Sequence, residues 1–333
     1  MKLSGCEQIR LQVRVVKQLN GSAITKKNTE VKIIEVGLRD GLQSVAHVMP
    51  TEVKCQWVRA AYDAGLREIE VGSFVPPKLL PQMADTAKVV EYARTLPGLS
   101  VNVLVPNFRG AESALAVGVD KINLPISVSR KHSLENVRMT PDEMVTELGK
   151  ICKLRDSVSS QKQVHVTVSL ATAFGCSLQG EVSEEEVCRL AEAAMAVGAD
   201  SLNLADTVGY ANPTQVRRLF RLIGHIVGEK MAAAHFHNTR GLGLANALAA
   251  MDCGIRQLDA SLAGLGGCPF APGATGNIVT EDLVFMVESM GFHTGIDLNL
   301  LIESRKILSR WLPSEPLYGY LCRAGLPKSF DPH

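Results

Sequence analysis

From residue 31 onward, apolar positions fall into short runs rich in β-branched residues, at 31–36, 66–71, 101–105, 121–125, 164–170, 201–204, 232–236 and 257–260. Between them lie longer stretches with helical spacing. Short runs of this kind separated by amphipathic segments predict eight β-α units. Glycines mark the joints: Gly65, Gly118, Gly198 and Gly254 each follow a helical stretch and precede an apolar run, where a left-handed cap belongs. Helix starts are marked by Pro50-Thr51-Glu52, by Thr140-Pro141-Asp142-Glu143 and by Ser183-Glu184-Glu185-Glu186. Eight strands alternating with helices predict an α/β fold, a (β/α)8 TIM barrel, whose chemistry sits at the C-terminal ends of the strands.

The chain's 333 residues suit such a barrel with extra C-terminal helices. We divide it into an N-terminal extension (1–30), a catalytic barrel (31–295) and a helical extension packed on the barrel (296–333). With 46% hydrophobic residues the chain can bury a large core. The 35 basic and 34 acidic residues leave a formal charge of +1, so no overall field recruits nucleic acid or an anionic membrane. No apolar run approaches the roughly 20 residues of a membrane span. The eight cysteines form no C-x-x-C pair, which fits free thiols in a reducing compartment. Residues 1–30 carry Lys2, Arg10, Arg14, Lys17, Lys26 and Lys27 against Glu7 and Glu30. The expected location is the cytoplasm, or the mitochondrial matrix if this segment is a transit peptide.

Polar residues collect where the strands should end. Arg39, Asp40 and Gln43 follow the first run, Glu70 closes the second, Asp206 follows the sixth, and His235 and His237 end the seventh. Two histidines two apart on a strand point the same way. After the eighth run come Cys268, Asn277 and Glu281. Taken singly, each has a plain reading: Asp40 as a turn residue, Glu70 as a structural partner of Arg39, Asp206 and Asn277 as helix caps, Cys268 as a small buried hydrophobe. The glycines and prolines flanking Cys268 instead describe a long, mobile surface loop. Together, Asp40, His235, His237 and Asn277 offer a carboxylate, two imidazoles and an amide oxygen. That set favours Mg²⁺ or Mn²⁺ over structural Zn²⁺.

The stretches VKIIEVGLRDGLQ, IEVGSFVPPKLLPQMAD, LADTVGY, HFHNTRGLGLANAL and AGLGGCPFAPGATGNIVTEDLVFM closely resemble 3-hydroxy-3-methylglutaryl-CoA lyase, a metal-dependent barrel family related to the isopropylmalate and homocitrate synthases. The resemblance implies that Asp40, His235, His237 and Asn277 ligate the metal. It implies that Arg39, Glu70, Asp206 and Cys268 serve catalysis, with His235 and Asp40 contributing, and that Glu281 supports the site. It further implies an acyl-CoA substrate, cleavage of a carbon–carbon bond by a retro-Claisen reaction, and a homodimer. Gln43, Ser169, Asn203 and Arg240 are the substrate-binding candidates.

Several positions depart from the lyase pattern. Ser169 stands where the family usually has a tyrosine, Gly175-Cys176-Ser177-Leu178 replaces a Gly-Cys-Pro-Tyr motif, and Asn203, Asn238 and Arg240 are atypical. Residues 126–132 look more like the condensing synthases. The alternatives are therefore a lyase for a related hydroxyacyl-CoA of the citramalyl-CoA type, and a condensing acyltransferase.

Overall fold

Eight strands, β1 (Lys32–Glu35), β2 (Glu68–Ser73), β3 (Ser100–Leu104), β4 (Lys121–Ser127), β5 (His165–Ala171), β6 (Ser201–Asp206), β7 (Met231–Phe236) and β8 (Gln257–Ala260), pair in parallel in chain order. The sheet closes where Lys32 to Glu35 pair with Gln257 to Ala260. The computed structural model describes residues 29–158, 163–266 and 276–330. The expectations for most of the N-terminal extension and for Cys268 fall outside the described residues.

Helices follow the strands and begin where the sequence marks them. Thr140 and Glu143 form a reciprocal capping box on Pro141–Ser157, and Ser183 accepts a hydrogen bond from the amide of Glu186 at the start of Glu184–Ala196. At the other ends, Gly65, Gly118, Gly198 and Gly254 all have positive φ, between 74° and 107°. A side chain at those angles would be strained, which is why glycine closes each helix.

The apolar core lies between the outward faces of the strands and the surrounding helices. Phe236, alternating outward between His235 and His237, meets Phe174 and Phe220 there at ring-centroid distances of 6.0 and 6.3 Å. Inside, the barrel is mostly polar. Near the N-terminal end Glu68 accepts from Lys32, Asn102 and Lys121 at 2.7–2.9 Å. A small apolar cluster of Ile34, Val36 and Ala233 lies apart from the main core. The polar groups of the candidate site gather at the C-terminal mouth.

The C-terminal helix Leu298–Trp311 lies against the helix Thr51–Asp63, joined by a hydrogen bond from the Asp297 amide to the Ala64 carbonyl at 2.7 Å. Arg305 on that helix pairs with Glu281, and the Tyr318 amide bonds to the Ala263 carbonyl at 2.8 Å. The extension thereby braces the loop after β8. Among the described residues, no helix is long and apolar enough to cross a membrane.

Candidate active site

At the end of β1 the chain makes a buried π-helical turn, Gly37–Gly41, in which the Val36 carbonyl accepts from the amides of Arg39, Asp40 and Gly41. This tight turn sets Arg39 and Asp40 side by side at the mouth. Arg39 Nε donates to Glu70 Oε2 and Nη1 to Asp40 Oδ1, each at 2.5 Å. Burial works against the Arg39 charge, but the neighbouring Glu70 and Asp40 carboxylates outweigh it and raise its pKa. For Asp40, burial opposes ionisation, yet Arg39 and then the two histidines hold the carboxyl well below its usual range.

Asp40 is pinned on both oxygens. Gln43 Nε2 also donates to Oδ1 at 2.7 Å, while Asn277 Nδ2 donates to Oδ2 at 2.7 Å. Asn277 reaches the site because residues 276–279 return beside β7: the Asn238 amide bonds to the Gly276 carbonyl, and His237 and Asn277 form an isolated bridge. The helix that follows, Thr280–Ser289, takes Val279 as its N-cap residue, so Asn277 is not a helix cap. Gly266 packs flat against this point. A Cβ there would come within 2.8 Å of Asn277 Nδ2 and 3.1 Å of the Asp40 carbonyl, and Gly266 itself has φ of +122°. Gly266 therefore serves close approach to the site.

His235 and His237 project from the end of β7 into the same space. Their Nε2 atoms are 3.1 Å apart, and Asp40 Oδ2 lies 3.2 Å from His237 Nε2 and 3.8 Å from His235 Nε2. A triangle with those sides has a circumradius of roughly 2.0 Å, the metal–ligand distance of magnesium and zinc sites. His235 turns its other nitrogen, Nδ1, to Asp259 Oδ2 at 3.1 Å. With the proton on Nδ1, His235 Nε2 presents a lone pair to a carboxylate oxygen and a second imidazole. Asp40, His235 and His237 thus form a buried group able to hold a divalent cation. Asn277 Oδ1 and His237 Nδ1 are buried with no hydrogen-bond partner among the described residues, the mark of atoms placed for something else.

Beside the carboxylate–imidazole group runs a chain of side chains across neighbouring strands. Ser169 Oγ donates to Asn123 Oδ1 at 2.8 Å, and Asn123 Nδ2 donates to Glu70 Oε1 at 3.2 Å. Glu70 in turn holds Arg39. Ser169 is therefore tied into the network that orients the guanidinium. Its register partner Asn203 is also buried, with Oδ1 unpartnered among the described residues.

Other candidates have different surroundings. Both Asp206 oxygens accept backbone amides, from Tyr210 at 2.8 Å and Ala211 at 3.0 Å, so this side chain fixes the turn after β6. Desolvation raises its pKa, partly offset by those amides. Glu281 is fully buried, accepts from the Ala263 amide at 3.0 Å and pairs with Arg305. Arg240 stacks on Tyr210 at 4.5 Å and donates to the carbonyls of Val208 and Gly209. It lines a cavity of about 630 Å³ whose walls include Phe174 and Tyr210 but none of Arg39, Asp40, His235 or His237. Asn238 caps the turn before the helix Gly243–Asp252 through the Gly243 amide. Sequence reasoning missed Asn123 and Asp259, polar residues inside apolar runs. It also missed Glu35, which binds the amides of Gly37 and Leu262 and the Thr280 hydroxyl at 2.8–2.9 Å.

A family model described as HMGL-like matches residues 30–308. The mouse mitochondrial hydroxymethylglutaryl-CoA lyase is 37% identical over 275 residues, 83% of each chain. Among solved structures, an HMG-CoA lyase from Acinetobacter baumannii in complex with coenzyme A and 3-methylmalate is 38% identical, with a TM-score of 0.85, covering 93% of this chain and all of that one. The hydroxymethylglutaryl-CoA lyase of Pseudomonas aeruginosa is 33% identical, with a TM-score of 0.83 over 90% of this chain and 98% of that one.

Proposed function

The chain belongs to the HMGL-like family of carbon–carbon lyases, and within it we propose a divalent-metal-dependent enzyme that splits 3-hydroxy-3-methylglutaryl-CoA into acetyl-CoA and acetoacetate. The observation that carries this reading is the convergence of Asp40 Oδ2 and the two histidine Nε2 atoms beside the Arg39 guanidinium. The reading is supported by the acyl-CoA chemistry of the relatives, one of which was crystallised with coenzyme A.

In this reaction the bond between C2 and C3 breaks. The C3 hydroxyl loses its proton and its oxygen becomes the ketone of acetoacetate. The bonding pair passes to C2 as the enolate of acetyl-CoA, which then takes up a proton. Asp40, His235, His237 and Asn277 would hold Mg²⁺ or Mn²⁺, which when bound supplies charge to the substrate hydroxyl and a carboxylate and so lowers the hydroxyl pKa. Arg39 faces the charge that develops on the thioester oxygen, the kind of stabilisation that is often the largest catalytic contribution. Glu70 and Asp40 lock its fork in place. Asp206 is the candidate for receiving the hydroxyl proton, and Cys268 is the candidate for protonating the enolate. In this reading residues 31–295 carry the chemistry and 296–333 brace the loop after β8.

One observation favours a second reading, in which a differently substituted hydroxyacyl-CoA is preferred. Ser169 is short and its hydroxyl is committed to Asn123, so it reaches less far into the mouth than a tyrosine would. Incubation with 3-hydroxy-3-methylglutaryl-CoA, citramalyl-CoA, and acetyl-CoA plus 2-oxo acids separates these readings. Acetoacetate from the first substrate supports the primary one. Turnover confined to the second supports the alternative, and condensation without cleavage overturns both. The curated mammalian relatives are named as mitochondrial, and fusing residues 1–30 to a fluorescent protein decides between cytoplasm and matrix for this chain.

A further inference from the structure

We propose that Asp259 is a positioning residue that sets the coordinating power of this centre, by holding His235 in the tautomer that offers a lone pair to the cation. The inference rests on the metal-site reading above.

Asp259 lies within the four-residue strand β8, with His235 as its register partner on one side and Ile34 on the other. It is buried, and among the described residues its one hydrogen-bonding partner is His235 Nδ1, at 3.1 Å. A buried carboxylate with a single polar partner is costly to keep, and nothing in the closure of the barrel requires it. A carboxylate oxygen at this distance accepts from an Nδ1–H, and a neutral ring that donates through Nδ1 turns the Nε2 lone pair toward Asp40 and His237. The carboxylate also fixes the ring's rotation and makes Nε2 a stronger donor, as carboxylate–histidine pairs do behind bound metals.

His237 lacks such a partner, since its Nδ1 is buried and unbonded among the described residues. The two imidazoles are therefore unequal ligands. His235 is oriented and polarised from behind, whereas His237 is placed by the strand end and by Asp40.

The test is Mn²⁺ binding to the metal-stripped full-length protein without substrate, read by electron paramagnetic resonance of the free ion. Asp259→Asn keeps the volume, and Asp259→Ala removes the partner altogether. Both should weaken Mn²⁺ binding by roughly 10- to 100-fold, the usual consequence of losing such a partner. In ¹⁵N-histidine spectra of the apo protein, His235 should be the Nδ1–H tautomer in the unaltered chain and should lose that preference in Asp259→Ala. Unchanged affinity in both variants, with His235 in the same tautomer, would overturn the proposal while leaving the metal reading intact. If the unaltered protein itself bound no Mn²⁺, the metal reading would fall and this proposal with it.

Discussion

Replacing Arg39 by lysine separates a structural cation from an oxyanion donor. The guanidinium spends Nε on Glu70 and Nη1 on Asp40. Among the described residues Nη2 makes no hydrogen bond, so it is the donor left for substrate. Lysine brings one compact nitrogen on a flexible stem. It can satisfy one carboxylate and partly shield the other, but it then has no rigid donor aimed at the thioester oxygen. Loss of one oxyanion donor lowers turnover by roughly 10² to 10³, about 2.7–4 kcal/mol of barrier. Losing one of the two charge-assisted bonds should cost about 1.5–3 kcal/mol of stability, small enough for the fold to survive. The assay is kcat and KM with 3-hydroxy-3-methylglutaryl-CoA at saturating Mg²⁺ or Mn²⁺, with metal content and Tm measured on the same preparation. A variant that keeps its metal and its fold and loses turnover by that factor fits the assignment. A kcat within about threefold of the parent, less than 1 kcal/mol of barrier, would refute it and leave Arg39 a structural ion-pair partner. Loss of metal in step with activity would show that its role is to hold Asp40.

Three further outcomes follow from the surroundings of single side chains. Ser169→Tyr should extend this side chain past its neighbours Asn123 and Asn203 and shift the ratio of kcat/KM toward 3-hydroxy-3-methylglutaryl-CoA over citramalyl-CoA; an unchanged ratio would remove Ser169 from specificity. Glu35 is buried, and desolvation, only partly offset by its three hydrogen bonds, lifts its pKa from 4.5 to about 7. The folded state therefore holds this proton more tightly than the unfolded chain, so its contribution is complete below about pH 4.5 and is lost as pH rises toward 7, by roughly 3 kcal/mol. Glu35→Gln should flatten that part of the Tm–pH curve relative to the parent, and a parallel curve would show that Glu35 titrates normally. Iodoacetamide should inactivate the enzyme through Cys268 with protection by substrate, because burial raises the thiol pKa of Cys55, Cys152, Cys188, Cys253 and Cys322; labelling of Cys268 without loss of turnover would exclude it from the reaction.

The barrel was legible because the strands fall in short apolar runs and four helix ends carry a glycine at positive φ, both local signals. Asp40 and His237 were legible because they stand just beyond such runs, and His235 because it lies two residues before His237 at the end of its run. Asp259 and Asn123 were not, since a lone polar residue in an apolar run gains meaning only when closure of the sheet sets it beside His235 or between Ser169 and Glu70. The glycines near Cys268 illustrate a second limit. Composition alone does not distinguish a hinge from a close approach, and Gly276, whose added Cβ would fall on the carbonyl oxygens of Gly264 and Gly266, belongs to the latter.

Metal-dependent cleavage at this mouth requires an ion in the space between Asp40, His235 and His237. Anomalous diffraction from crystals of the active enzyme grown with Mn²⁺ should show a single strong peak about 2.0–2.2 Å from Asp40 Oδ2 and both histidine Nε2 atoms, and His235→Ala should abolish both the peak and the turnover. A chain that cleaves its acyl-CoA substrate at full rate with no ion at that position would contradict it.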